Sequence, residues 1–489
     1  LFVVMVAPEC SPVAQAGGLG DVVAGLSREL EQLGHTVEIV LPRYDCLRDD
    51  RITEITLAYE GQVPWYSGAV ACSVWSGRAD GHHCHFIEPH SDDHFFRRGH
   101  VYGSQDDVAR FAFFSKAAME FLYKTGRRPD VIHCHDWETA LVPVLLYEIY
   151  QPLGMHDQRA CLTIHNFRHQ GIANEWVLWA TGLLPPQRFL DPTRMHHDGR
   201  PDAVNLLKGG IVYSNSVTTV SPRHAWEVRH ADQGWGLGDT LHLHGGKFDG
   251  ILNGLDADTW SPETDACIPQ RYAAETLEDK AANTRHLRRR FGLRKGEGPV
   301  VAYVGRLDAQ KGVHLIHHAL FYTLGLGGQF VVLGASPDPA ISNHLQLLDR
   351  QLDGHPDVHL ELQFNQDLAH LVYAGADILV MPSMFEPCGL VQQIALSYGT
   401  VPVVRATGGL IDTVHDRDYS DRPPEERNGF VFEHTDPQAL ESALWRAIDL
   451  WRTDRDEFRT LMLNGMRRDR SWTLPAQEYL EIYEDICHQ

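Results

Sequence analysis

The sequence predicts an α/β protein made of two doubly wound parallel-sheet domains in tandem, and three observations predict it. Short β-branched runs alternate with helical patterns along nearly all 489 residues. Several of these runs are apolar without interruption, as strands covered by helices on both faces require. Periodicity then breaks over "GGKFDGILNGLDADTWSP", residues 245–262, before a fresh strand starts at Pro299. At roughly 150 residues per domain, the length has room for two or three cores. The expected division is 1–260 for the N-terminal domain and 261–472 for the C-terminal one. The tail "LPAQEYLEIYEDICHQ" has helical spacing, so a helix over 473–489 is expected to pack back on the first domain.

Taken in order, a strand over Phe2 to Ala7 leads into Gly17-Gly18-Leu19-Gly20, and a helix is expected from Asp21 to Leu33. The strands "TVEIVLP", "VIHCHD", "ACLTIHN" and "VTTVSP" complete the first half. The second half supplies "PVVAYVG", "QFVVLG", "VHLEL", "ADILVMPS" and "VPVVRA". Ligands of such sheets sit beyond the carboxyl ends of the strands, so motifs at the strand ends of both halves are expected to converge on a cleft.

Composition narrows the function class. A formal net charge of −22 repels nucleic-acid phosphates, and the one basic run, Arg285 to Arg290, reads as a solvated helix face. No stretch approaches the roughly 20 apolar residues of a membrane span. Nine cysteines, odd in number and without zinc-ribbon spacing, point to an intracellular, reducing compartment. The chain opens at Leu1 without methionine, which leaves an upstream segment, a transit peptide included, open.

Four constellations carry chemistry. Glycines at 17, 18 and 20 let backbone N–H groups approach a ligand while the following helix aims its positive end there; a merely tight turn is the alternative. In "GRLDAQKG", Arg306 and Lys311 flank a turn at a strand end, a fork and a point charge that suit a diphosphate; an ordinary exposed loop also explains two cations. In "MFEPCGLVQQIALSYG", Glu386 precedes a turn and a helix expected near Gly389. A carboxylate beside phosphate is awkward unless it accepts hydrogen bonds from a polyol, so Glu386 reads as a sugar ligand or else as a helix cap.

"VIHCHDWE" and "LTIHNF" put His133, His135, Asp136 and His165 at the ends of two strands. A metal held by His133, His135 and Asp136 is set aside because no Cys or His cluster completes a tetrahedron. Asp136 and His165 read as polar groups lining a sugar site, with satisfied core residues as the alternative.

Together these motifs, with "GGLGDVVAGLSREL", "HCHDWETALVP", "GILNGLDADTWSP", "FEPCGLVQ" and "TGGLIDTV", resemble glycosyltransferase family 5, the bacterial glycogen synthases and plant starch synthases. "FIEPHSDDHFFRRG", "RFAFFSKAAMEFL" and "TIHNFRHQG" are similar to the branch that holds starch synthases III and IV and the second cyanobacterial glycogen synthase. The resemblance implies a GT-B fold, two Rossmann-like domains facing a cleft. It further implies transfer of glucose from ADP-glucose to the non-reducing end of an α-1,4-glucan, with retention, no metal and no cofactor. The setting would be the cytoplasm, or the plastid stroma in a plant or alga. Neither nucleic acid nor membrane is an expected partner.

The resemblance also distributes roles. His165, Asp136, Glu386, Arg306 and Lys311 fall to catalysis. Gln15, Gly17, Gly18, Leu19, Asn253, Cys388, Gly389, Leu390 and Val391 fall to the donor, and Glu9, Asp21 and Asn166 to the acceptor or pocket. Two positions depart from the family pattern. Val391 stands where a threonine is usual, and can still offer its backbone N–H. Gln15 stands where a lysine is usual, which removes a cation from the donor side. That departure keeps a second class in view, a glucan-binding or priming protein of the same fold with weak transferase activity; a different nucleotide-sugar transferase fits the motifs less well.

Overall fold

The computed structural model describes residues 1–231, 233–296, 298–363 and 365–488. The chain divides into two units, Leu1–Gly254 with Trp472–Gln489, and Leu255–Ser471. Residues 255–260, expected in the first domain, pack with the second. The reason is local: Leu255 is buried in that unit's core, and Trp260 stacks on His370 with ring centroids 4.2 Å apart.

The first unit is a nine-stranded sheet. Its strands are β1 (Phe2–Val6), β2 (Thr36–Pro42), β3 (Ile52–Trp65), β4 (Gly68–Ala79), β5 (His82–His90), β6 (Val131–His135), β7 (Arg159–Ile164), β10 (Ser216–Thr219) and β11 (Phe248–Gly250). A separate two-stranded ribbon joins β8 (Ile172–Asn174) to β9 (Ala203–Asn205). The order is β11-β10-β7-β6-β1-β2-β5-β4-β3. All pairs from β5 to β11 are parallel, and β3 and β4 extend the edge as an antiparallel meander. Val3, Val4, Met5 and Val6 are completely buried, as befits a central strand covered on both faces.

The helix Gly18–Gln32 starts earlier than the expected Asp21, with Gly17 as its cap. It buries Leu19, Val22, Val23, Leu26 and Leu30, the 3.6-residue stripe that seats it on the sheet. A Cβ on Gly25 would overlap the indole of Trp472, so the helix comes closer to that ring than any other residue allows. Trp472 leads into the helix Thr473–Cys487, which buries Ala476, Tyr479, Tyr483 and Ile486 in this unit's core. The expected helix ran to 489; it ends at Cys487, and Gln489 lies outside the described residues.

The second unit has β12 (Val300–Val304), β13 (Gln329–Leu333), β14 (Val358–Glu361), β15 (Ile378–Met381), β16 (Val401–Arg405) and β17 (Phe430–Phe432). All are parallel in the order β14-β13-β12-β15-β16-β17. Counted within the unit, that is the 3-2-1-4-5-6 order of a dinucleotide-binding sheet, and β5-β2-β1-β6-β7-β10 repeats it in the first unit. The order reverses between β1 and β6 and between β12 and β15, where loops diverge and leave a crevice for ligands. Arg285, Arg289 and Arg290 are exposed on the helix Lys280–Arg290 as expected, whereas Arg288 is partly buried and donates to Gln329 Oε1 at 2.8 Å and to Gly298 O at 2.9 Å. No helix among the described residues is long and apolar enough to cross a membrane.

Candidate active site

In the first unit the expected residues follow β1, β6 and β7, at the reversal of strand order. Glu9 is buried, and both its oxygens are taken. Oε2 accepts the N–H groups of Ala16 (2.5 Å) and Gly17 (2.8 Å), and Oε1 accepts the Tyr102 hydroxyl (2.6 Å). The Gly17 N–H, expected to face an anion, is thus occupied by a carboxylate of the chain itself. Gly18, exposed, and Leu19, buried, open the helix, where N–H groups precede the first intrahelical bond. Gln15 is exposed; its Oε1 accepts from Ser11 Oγ (3.2 Å) and its Nε2 donates to Asp21 Oδ1 (2.9 Å). Gln15 and Asp21 are therefore one hydrogen-bonded pair.

Asp136 adopts a left-handed backbone, φ 57°, rare for a residue with a Cβ and a marker of a functional turn. Its Oδ1 accepts the N–H groups of His165 (2.6 Å) and Asn166 (3.3 Å), tying the end of β6 to that of β7. Asn166 in turn accepts the Arg168 N–H at 3.0 Å, which bends the loop. Burial pushes the Asp136 carboxyl up, against the pull of those two N–H groups and with a further push from Glu9. The structure adds Glu138, which the sequence reading passed over: buried, raised by desolvation and by Asp136, with no hydrogen-bond partner for Oε2 among the described residues.

His165 Nε2 lies 3.1 Å from His135 Nδ1. Behind them, His133 is fully engaged, by Thr163 Oγ1 at Nε2 and by the Tyr483 hydroxyl at Nδ1, each at 2.7 Å. No ring nitrogen of His133 is left for a metal. Burial lowers His133 and His165 to about 3 and His135 well below its ordinary value. His165 is therefore a neutral hydrogen-bonding ring, suited to a hydroxyl rather than to a phosphate. Asn253, after β11, is buried in the same unit.

In the second unit the candidates follow β12 and β15. Arg306 has a side chain 60% exposed, 3.5 Å from Asp308. Its carbonyl accepts the Tyr303 hydroxyl at 2.5 Å, which fixes the backbone beneath an exposed guanidinium. Lys311 donates its backbone N–H to Asp308 Oδ1 (3.0 Å), and its ammonium meets Glu386 Oε2 at 2.5 Å. The sequence suggested separate duties for Lys311 and Glu386, and the structure joins them. The ammonium resolves the difficulty of a carboxylate near phosphate, and Ser383 Oγ adds a hydrogen bond to the same oxygen (3.0 Å).

Glycines set this geometry. Gly312 is left-handed, φ 70°, and a Cβ there would overlap Pro382 O. Gly408 is left-handed as well, φ 46°, and a Cβ would overlap Glu386 O, while the Gly409 N–H donates to that same carbonyl at 3.1 Å. Gly408 and Gly409 thus hold Glu386 from behind, a role that "TGGLIDTV" contained but did not disclose. Arg405 helps by donating to Ser383 O (2.5 Å) and Met384 O. The helix expected from Gly389 starts at Val391, because Gly389 is left-handed (φ 72°) and Leu390 caps. Cys388 O accepts from Gln392 Nε2 at 3.0 Å, closing the Cys388–Val391 turn.

A family described as "Starch synthase catalytic domain" matches residues 2–243, and "Glycosyl transferases group 1" matches residues 285–460. Glycogen synthase 1 of Synechococcus sp. (strain JA-3-3Ab) is 58% identical over the full length of both chains. Glycogen synthase 2 of Methylococcus capsulatus is 57% identical over 98% of this chain and 99% of its own. Among solved structures, the catalytic domain of starch synthase IV from Arabidopsis thaliana, bound to ADP and acarbose, is 44% identical, covers 100% of both chains and has a TM-score of 0.96. The two parallel-sheet units are accordingly those of the GT-B fold. Full-length likeness at this level settles the class: the chain belongs to the glycogen and starch synthase family of glucosyltransferases.

Proposed function

We propose that the donor is ADP-glucose and that its glucose passes, with retention, to the non-reducing end of an α-1,4-glucan, without a metal ion. The observation that carries this reading is the Lys311–Glu386 pair at the β12/β15 reversal, a cation and a hydroxyl acceptor 2.5 Å apart. Arg306 and Lys311 neutralise the diphosphate. Charge grows there as the glucosyl group leaves through an oxocarbenium-like state, so both side chains bind the transition state better than the ground state. Glu386 accepts hydroxyl hydrogens of the transferred glucose, and the Cys388–Val391 turn completes the phosphate cradle. His165, neutral at its operating pH, hydrogen-bonds the sugar; Asp136 and Asn166 hold the loop that presents it. No protein nucleophile is assigned, and the leaving phosphate accepts the proton of the acceptor hydroxyl on the same face.

The test is a donor assay with glycogen or a maltooligosaccharide, each nucleotide-glucose in turn, following nucleotide release with and without chelator. Turnover with ADP-glucose that exceeds turnover with UDP-glucose and survives EDTA is expected. Preference for UDP-glucose would overturn the donor, and loss in EDTA restored by a divalent ion would overturn the metal-free mechanism.

A further inference from the structure

A cluster in the second unit takes no part in the glucosyl-transfer site. The helix Gln366–Gly375 places Asp367 and His370 at i and i+3, on one face. Against it lies an irregular segment carrying Asp265 and Cys267. His370 Nδ1 is 2.8 Å from Asp265 Oδ2, and Cys267 Sγ is 4.0 Å from Asp367 Oδ1. The ligand atoms of Asp265, Cys267 and His370 all lie within 4.8 Å of one another. Ligands of a tetrahedral zinc-type ion at bond lengths of about 2.0–2.3 Å stand roughly 3.3–3.7 Å apart, so a closure of about 1 Å would seat one.

Charge favours a cation. Two carboxylates flank the thiol, whose pKa is raised first by burial and then by Asp265 and Asp367. Arg271 binds the Asp265 backbone carbonyl (3.1 Å), and the side-chain partners of the Asp265 carboxylate are His370, itself part of the cluster, and the Tyr398 hydroxyl. Outer partners exist as well. The Tyr398 hydroxyl donates to Asp265 Oδ2 (2.5 Å), the Cys267 N–H donates to Asp265 Oδ1 (2.7 Å), and Trp260 stacks on the His370 ring. Such contacts orient metal ligands. The other mixed cluster of the described residues, Glu38, His83 and His85, differs in this respect: the Arg127 guanidinium sits 3.0 Å from Glu38 and already supplies its cation.

We propose that Asp265, Cys267, His370 and Asp367 form a binding site for one divalent ion of the zinc type, which staples the start of the Gln366–Gly375 helix to the segment before Tyr272. Binding replaces the thiol proton by a sulfur–metal bond and moves the His370 proton from Nδ1 to Nε2, so one proton is released per ion. Cys267 and Asp367 are exposed, and their replacement spares the core.

The experiment titrates chelator-treated, desalted full-length protein with Co2+. One equivalent is expected to produce a thiolate-to-cobalt charge-transfer band in the near ultraviolet and the visible bands of a four-coordinate ion. Cys267→Ser should abolish the charge-transfer band, and Asp367→Asn should weaken binding about tenfold or more. Cys46→Ser, at the other exposed cysteine, should change nothing. Zn2+ should raise the unfolding temperature of the unaltered protein and leave that of Cys267→Ser unmoved, while glucosyl transfer by Cys267→Ser stays normal. A missing charge-transfer band at one equivalent, or one undiminished in Cys267→Ser, would overturn the assignment.

Discussion

Lys311 and Glu386 share a hydrogen bond across 75 residues of sequence, and the pairing sets what a substitution at either should do. Lys311→Ala should lower turnover at saturating donor by about 2–4 kcal/mol of transition-state stabilisation, with little effect on glucan binding. Near-normal turnover would remove Lys311 from the chemistry. Gly408→Ala tests the support behind the pair, since its Cβ would displace Glu386 O. A folded protein with strongly reduced kcat is expected, and unchanged donor kinetics would show that this contact does not govern Glu386. At the glycine loop, Gln15→Lys should lower the donor KM by less than tenfold at low salt, an effect on the order of 1 kcal/mol that shrinks as salt rises. The gain is small because the new ammonium would be held by Asp21, which already holds Gln15. Equal kinetics at low salt would leave the loop's anion role to its backbone.

Among the elements, the helix Thr473–Cys487 is held by more than apolar contact: Tyr483 and Tyr479 carry hydroxyls into a buried network with His133, Thr163 and Thr218. Tyr483→Phe leaves His133 Nδ1 without that partner inside the core and should cost about 1–3 kcal/mol in urea unfolding. No loss would mean that water or a neighbour replaces the hydroxyl. This helix was legible in the sequence from its spacing, as were β2, β13 and β16, because each buries an apolar run that leaves a pattern. The β3–β4 meander was not legible. Most of β3 is exposed, so neither a continuous apolar run nor clean alternation marked it. The same limit applies to the site. Arg306, Lys311 and Glu386 stand in loops that follow clear strands, so the sequence pattern singled them out as candidates. The hydrogen bonds of Glu9 were not legible, because it accepts backbone hydrogens seven and eight residues away, which no side-chain pattern records.

At the scale of the molecule, buried ionisable groups in the first unit set a pH dependence with a sign that can be worked out. Unfolded, His133, His135 and His165 titrate near 6.5; folded, burial holds the first and last at about 3 and His135 well below its ordinary value. Stability present above pH 6.5 is therefore lost as pH falls, by up to about 1.4 kcal/mol per pH unit per histidine. Asp136 and Glu138 act oppositely, since burial raises both and the folded unit takes their protons first. The sum is a shallow decline between about pH 6.5 and 4.5 and a steep one below about 4, where the carboxyl groups no longer compensate. Urea unfolding at stepped pH checks this, and a flat profile from 7 to 3.5 would contradict it. The division of the chain has a consequence in time. Residues 1–254 cannot complete their core until the segment from Trp472 has been synthesised, and the 217 residues from Leu255 to Ser471 (471 − 255 + 1) emerge first. At roughly 5–20 residues per second that is about 10–45 s, during which the nascent sheet waits on the ribosome with the seat for Trp472, Tyr479 and Tyr483 unfilled.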